Sequence, residues 1–113
     1  MANPLRGEVE LKAGERTYIL RYTTNALVRL EEEFGKSVIQ MAENASIKEA
    51  RALVWAGLLH SHPNLTMEQA GDIMDEAGFT EAIQAASQAL RKAFGRAAEG
   101  KPLQTAGENS PTS

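Results

Sequence analysis

The sequence contains no cysteine in its 113 residues. Disulfide frameworks, thiolate zinc sites and cysteine nucleophiles are therefore excluded. Its longest apolar run, residues 53–59, is far shorter than the roughly 18 to 20 residues that cross a bilayer. The first seven residues lack the apolar segment of a signal peptide. These absences predict a cytoplasmic protein.

Positive charge is in deficit, because 12 Lys and Arg residues stand against 15 Asp and Glu residues. A protein whose main task is to neutralise nucleic-acid phosphates needs the opposite balance. The hydrophobic share of 42% is typical of a globular chain of this size. We predict a single α+β domain over residues 3–98. Residues 99–113 are rich in Gly, Pro, Ser and Thr, with Leu103 as the one large apolar residue, and are predicted to form a disordered tail.

Two short segments near the N-terminus predict a β-hairpin. Residues 7–12 alternate, with Val9 and Leu11 on one side and charged residues on the other, which is typical of a half-buried strand. Residues 16–22 are rich in β-branched and aromatic types. A glycine-containing turn at residues 13–15 joins the two segments. An isolated hairpin is only marginally stable, so we expect this one to pack on other elements.

Four to five helices in a small bundle are predicted to follow the hairpin, from 3,4 spacing and from capping residues. The third predicted helix, from Ser46 to about Ser61, is apolar on most of its circumference, which is typical of a helix at the centre of a core. Both Ile47 and Trp55 are placed on its buried side. The predicted helix starts are Thr23 or Thr24, Ser37, Ser46, Thr66 and Thr80.

No motif in the sequence carries recognisable chemistry. Gly35-Lys36-Ser37 resembles the end of a phosphate-binding loop, but Leu30 occupies the place of the upstream glycine. His60 and His62 are two residues apart and cannot share a helix face. No His-Glu-x-x-His or Gly-x-Ser-x-Gly motif occurs. We therefore predict that the protein is not an enzyme and has no cofactor, no metal site and no small-molecule substrate.

Two acidic runs have two interpretations: solvated helix faces, which is the ordinary one, or a docking surface for a basic partner. The acidic run on the fourth predicted helix has no Lys or Arg beside it between residues 64 and 79. Because DNA would repel such an acidic helix, this run argues against a DNA-binding helix-turn-helix. The candidate partner-binding residues are Glu31, Glu32, Glu33, Glu68, Asp72, Asp75 and Glu76.

Several short segments, taken together in their order and spacing, resemble a known family over residues 3–95. The family is that of the tail assembly chaperones, small proteins of gene transfer agents and related siphophages. The segments that carry the resemblance are Asn3–Val9, Tyr18–Tyr22, Thr24–Leu27, Leu30–Glu32, Phe34–Ser37, Leu53–Leu58, His62–Thr66 and Ala70–Ile73.

The resemblance implies a non-catalytic tail assembly chaperone that binds tape-measure or tail-tube protein during assembly of a gene transfer agent or prophage tail. It further implies a protein of the bacterial cytoplasm that is absent from the mature particle. Such a protein would bind neither nucleic acid nor membrane, and the sequence does not decide whether it self-associates. Met41, Met67 and Met74 are expected to offer adaptable apolar surface to a helical client. One alternative is a structural tail component retained in the particle, and a less favoured one is a DNA-binding regulator.

Overall fold

The computed structural model describes Asn3 and residues 6–100, with side chains as far as Gly95. This part of the chain has an α+β fold in which a two-stranded antiparallel hairpin precedes five helices, as predicted. Helix α5 reaches Gly100. Residues 101–113, which belong to the predicted disordered tail, lie outside the part of the chain that the structure describes. The elements are β1 (Val9–Ala13), β2 (Arg16–Leu20), α1 (Thr24–Phe34), α2 (Val38–Glu43), α3 (Ile47–Leu58), α4 (Met67–Ala77) and α5 (Phe79–Gly100).

The hairpin forms because its apolar and charged residues alternate with the pleat of the strands. Its register pairs Val9 with Leu20 and Ala13 with Arg16. Val9 and Ala13 are buried, whereas the charged residues of β1 are exposed. Gly14 begins the two-residue turn with a φ of +63°, a conformation that favours glycine. The buried face of β1 packs against α4 and α5.

Side-chain caps begin most of the helices where the sequence predicts them. The hydroxyl of Thr23 accepts the N–H of Ala26 at 3.1 Å and begins α1. At the other end of α1, Gly35 adopts the left-handed conformation with a φ of +65°. Reciprocal capping boxes begin the next three helices, at Ser37, Ser46 and Thr66.

Two predicted helix boundaries are wrong. Helix α5 begins at Phe79 rather than after Thr80, because the carbonyl of Gly78 already accepts the N–H of Ala82 and closes the first turn. Helix α3 ends at Leu58, three residues before the predicted end. The chain then continues as turns before α4.

Helix α3 lies at the centre of the core and packs against all the other helices and β2. Trp55 is only 4% exposed, which confirms its predicted burial. Its indole N–H donates to the carbonyl of Leu65 at 2.8 Å. The guanidinium of Arg29 lies 5.1 Å from the centre of the Trp55 ring, within range of a cation–π contact.

The hairpin approaches α3 most closely at Gly57. A Cβ placed there would lie 2.8 Å from Cδ2 of Leu20 and 3.2 Å from Cζ of Tyr22. The Gly57 carbonyl also accepts the N–H of Arg21 at 2.9 Å. The absence of a side chain at this position therefore allows the end of β2 to lie directly on α3.

Two expectations about apolar residues are wrong. Ile47 is 76% exposed, because it stands in the first turn of α3, at the rim of the core rather than inside it. Met41 and Met74 are buried, so they fill the core and offer no surface to a client. Met67 is half-buried and packs against the same core.

Candidate interaction surface

Helix α4 carries four of the predicted partner-binding residues, and it divides them between two sides. Glu68, Asp72 and Asp75 are exposed and line a groove together with Arg51 of α3. The Nε atom of Arg51 is buried and has no hydrogen-bond partner among the described residues. Glu76 lies instead against the hairpin turn. We call Glu68, Asp72 and Asp75 the acidic flank.

A second groove, of about 640 Å³, lies between the hairpin and the loop that leads to α4. Asp72 and Glu76 line its α4 side, and Arg16 of β2 lies opposite. The rings of His62 and Tyr18 are 5.6 Å apart at the wall of this groove. This groove therefore contains charges of both signs.

The two histidines contact different parts of the hairpin. Nε2 of His60 lies 2.8 Å from the carbonyl oxygen of Ile19, whereas His62 contacts an aromatic ring. Among the residues that the structure describes, no group of three or more His, Asp and Glu could hold a metal ion. In the same part of the chain, no helix is both long and apolar enough to cross a membrane.

The acidic run on α1 is separate from the acidic flank. Glu31 accepts the N–H of Val38 at 3.0 Å and thereby helps to begin α2. Glu32 and Glu33 are exposed. None of these three glutamates lines either groove beside α4. The structure therefore assigns one of the seven candidate residues a role within the fold and does not join the two acidic runs in one groove.

An apolar groove between α3 and α5, of about 210 Å³, is the feature that sequence reasoning missed. We call it the α3–α5 groove. At its mouth lie two exposed apolar side chains, Ile47 at 76% and Phe79 at 47%. Both residues also line the groove of the acidic flank, so apolar and acidic surfaces are continuous here. Its other lining residues include Leu53, Ile83 and Leu90.

A signal for this groove is present in the sequence beside two helix boundaries. Ile47 directly follows the N-cap Ser46, and Phe79 directly follows Gly78, which ends α4. Side chains in a first helical turn stand at the end of a helix, where core packing is incomplete. A large apolar residue at each of two such positions is therefore a candidate for exposed apolar surface.

Among the residues with described side chains, two ionisable groups have a shifted pKa, and both make contacts within the fold. The hydrogen bond and ion pair with Lys36, at 2.7 Å, lower the pKa of Glu49, and the N–H of Ser46 adds to the effect. Burial raises the pKa of Tyr22, whose hydroxyl donates to the carbonyl of Leu53 at 2.5 Å. Neither group lines the α3–α5 groove. This surface is therefore suited to binding through shape and charge, without a titrating group inside it.

Comparison with known proteins identifies a family for nearly all of the described fold. Residues 6–96 match the family described as phage tail tube protein, GTA-gp10. Searches among curated proteins and among solved structures gave no match. The expectation of a gene transfer agent or phage tail protein is confirmed, and the family is structural rather than enzymatic. Because the match covers both strands and all five helices almost to the end of α5, the chain belongs to the phage tail tube protein family, GTA-gp10.

Proposed function

We propose that the chain is a structural subunit of the tail tube in a gene transfer agent or a related phage-like particle, and that it is retained in the finished particle. The observation that carries this proposal is the family match over residues 6–96. The sequence alone favoured a tail assembly chaperone and left the structural tail component as the alternative. A family of tail tube proteins favours the structural component.

The surface of the molecule supports a role in assembly. Ile47 and Phe79 are exposed beside one another at the rim of an apolar groove. Contiguous exposed apolar surface of this kind is typical of an interaction site. The carboxylates of the acidic flank would orient a basic partner and exclude acidic ones. The partners that we propose are other tail proteins, met in the bacterial cytoplasm as the tail forms.

A tail assembly chaperone is the second candidate, and the α3–α5 groove is the observation that favours it. An apolar groove between two helices suits the apolar face of a helical client such as the tape-measure protein. A chaperone would leave that client when the tube closes. It would therefore be absent from the finished particle, in contrast to a tube subunit.

Retention in the particle separates the two functions. The experiment is quantitative mass spectrometry of particles from cells that produce them, with the chain measured against the other tail proteins at each purification step. A tube subunit keeps a constant ratio to those proteins through every step. An abundant cytoplasmic host protein serves as the control, because its ratio falls as particles become pure. Loss of the chain in parallel with that control, together with its recovery on tape-measure protein from the lysate, would refute the structural proposal.

A further inference from the structure

The α3–α5 groove has room for one large apolar side chain and little more. Its volume is about 210 Å³. An apolar cavity of about 150 Å³ holds a single benzene molecule, whereas pockets for cofactors and drug-sized ligands measure about 300–1,000 Å³. The groove is therefore too small for a cofactor and matches the size of one aromatic ring.

The lining of the groove selects an uncharged and flat group. Among the described residues that line it, none carries a charge, so a charge inserted there would stay unpaired. Leu53 and Leu90 are buried and contribute only apolar surface. Small side chains leave shallow walls against which a planar ring can lie. The alanines in the lining are Ala42, Ala45, Ala50 and Ala86.

Two further lining residues favour an aromatic ring with a polar edge. Phe79 is 47% exposed at the mouth of the groove, where its ring can form an edge-to-face contact with an incoming ring. Ser87 is half-buried in the lining, and its hydroxyl can accept a hydrogen bond from an indole N–H or a phenol O–H. Tryptophan and tyrosine are the aromatic side chains enriched as anchors in interface pockets.

This chain does not itself supply a suitable ring. All six of its aromatic residues lie in the part of the chain with described side chains. Phe79 already forms part of the groove mouth. The other five are buried in, or packed against, the core of their own molecule: Tyr18, Tyr22, Phe34, Trp55 and Phe94. The ring is therefore expected from a different protein.

The charges beside the groove indicate what surrounds that ring in the partner. Ile47 and Phe79 line both the α3–α5 groove and the groove of the acidic flank. A segment whose ring enters the first groove therefore passes beside the three carboxylates of the acidic flank, where Arg51 is the one base in the lining. Lysine or arginine within a few residues of the ring would be attracted there, and acidic residues would be repelled.

We propose that the α3–α5 groove binds one tryptophan or tyrosine side chain of a basic segment in another protein, with the bases of that segment against the acidic flank. This inference deepens the proposed function and rests on it for its setting, in which this surface meets other tail proteins. The ring provides the apolar anchor, and the charges orient the segment that carries it.

Short peptides test both parts of this recognition. The probe is a capped peptide of seven residues, with one tryptophan between two pairs of lysines and glycine at each end. It is titrated into the full ¹⁵N-labelled chain at low salt, and amide chemical shifts report both affinity and site. We expect a dissociation constant of about 1 mM or tighter, with shifts centred on Ile47, Phe79 and Ser87.

Three control peptides separate the ring from the charges. Leucine in place of tryptophan should weaken binding about fivefold, because it loses the contact with the Phe79 ring. Alanine in the same place should weaken binding at least about tenfold. Glutamates in place of the lysines should abolish binding, because the acidic flank repels them.

Variants of the chain locate the site independently of the peptides. Ala45→Trp places a ring at an exposed position in the groove lining and should block the peptide, whereas Asn25→Trp adds the same ring on α1, outside the groove, and should not. Reversal of the acidic flank with Asp72→Lys and Asp75→Lys should weaken binding at least about fivefold. Glu32→Lys with Glu33→Lys makes the same change of charge on α1 and should leave the affinity unchanged. A well-dispersed amide spectrum confirms that each variant is folded.

Several results would overturn the inference. They include no binding of the lysine–tryptophan peptide up to about 5 mM, equal binding of the leucine peptide, and shifts centred on the groove beside the hairpin. Shifts at the α3–α5 groove that depend on the concentration of the chain alone would show that a second copy covers it. The proposed function is judged separately, because peptide binding can fail in a chain that is retained in particles and can succeed in one that is not.

Discussion

The close contact of the hairpin with α3 makes opposite predictions for two glycines. Replacing Gly57 with alanine should destabilise the protein, whereas the same change at Gly95 should stabilise it. Both residues lie inside helices, where alanine is favoured over glycine by about 0.5–1 kcal/mol. The two substitutions add the same atom and the same helical preference. Any difference between their effects on the free energy of unfolding therefore reports on the packing around each glycine.

The magnitude at Gly57 follows from the distances around it. The new Cβ would lie 2.8 Å from Cδ2 of Leu20, well inside the roughly 3.5–4.0 Å of an ordinary carbon contact. Leu20 is fully buried, and Tyr22 is held by its hydrogen bond to the Leu53 carbonyl, so neither can move away freely. Overpacking of this kind costs about 1–3 kcal/mol. After the helical gain, we expect a net loss of up to about 2.5 kcal/mol, with a central value of about 1 kcal/mol.

Urea unfolding followed by far-UV circular dichroism measures both changes. Gly95→Ala should raise the free energy of unfolding by about 0.5–1 kcal/mol, because no atom lies within 4 Å of the added group. If Gly57→Ala instead raised stability by the same amount, the hairpin would not lie on α3 as described. An unchanged slope with denaturant in both variants would show that the native and unfolded states are otherwise comparable.

Three further predictions concern stability. Trp55→Ala should lower the free energy of unfolding in urea by about 3–5 kcal/mol, and a loss below about 1 kcal/mol would refute its burial. Ser46→Ala should cost about 1 kcal/mol in the same assay by removing the N-cap of α3, and an unchanged midpoint would show that the capping box contributes nothing. Glu49→Gln should destabilise at neutral pH by removing the ion pair with Lys36. Because the pKa of Glu49 is lowered in the folded protein, its stabilisation is present above the ordinary value of 4.5 and is lost as the pH falls through the folded value. The difference from the native chain should therefore vanish in acid, and a difference that persisted at about pH 2 would contradict this assignment.

The elements that the sequence predicts well are those that local chemistry determines. The hairpin, the helix start at Ser37, the capping boxes at Ser46 and Thr66, and the glycine that ends α1 all depend on residues a few positions apart. The central place of α3 is also predictable, since a helix apolar on most sides must be surrounded. Each of these features can be derived from spacing alone.

The α3–α5 groove could not be predicted in the same way. Its walls come from helices more than twenty residues apart in the chain, and the packing between them decides which apolar side chains remain exposed. Ile47 fits the inward spacing of α3 and is nevertheless exposed, because it is the first residue of that helix and lies at the rim of the core. Similarly, the role of Glu31 depends on the bend at Gly35, which brings α2 back within its reach. Long-range packing, rather than propensity, determines these details.

The hydrogen bonds at the end of β2 bear on how the molecule avoids uncontrolled aggregation. A two-stranded sheet exposes backbone groups along its outer edges, and such edges recruit strands from other chains. Here Nε2 of His60 lies against the carbonyl of Ile19, and the N–H of Arg21 donates to the carbonyl of Gly57. Helix α3 and the turn after it thus occupy hydrogen-bonding positions that an added strand would need. Strand addition at this end of β2 is therefore blocked.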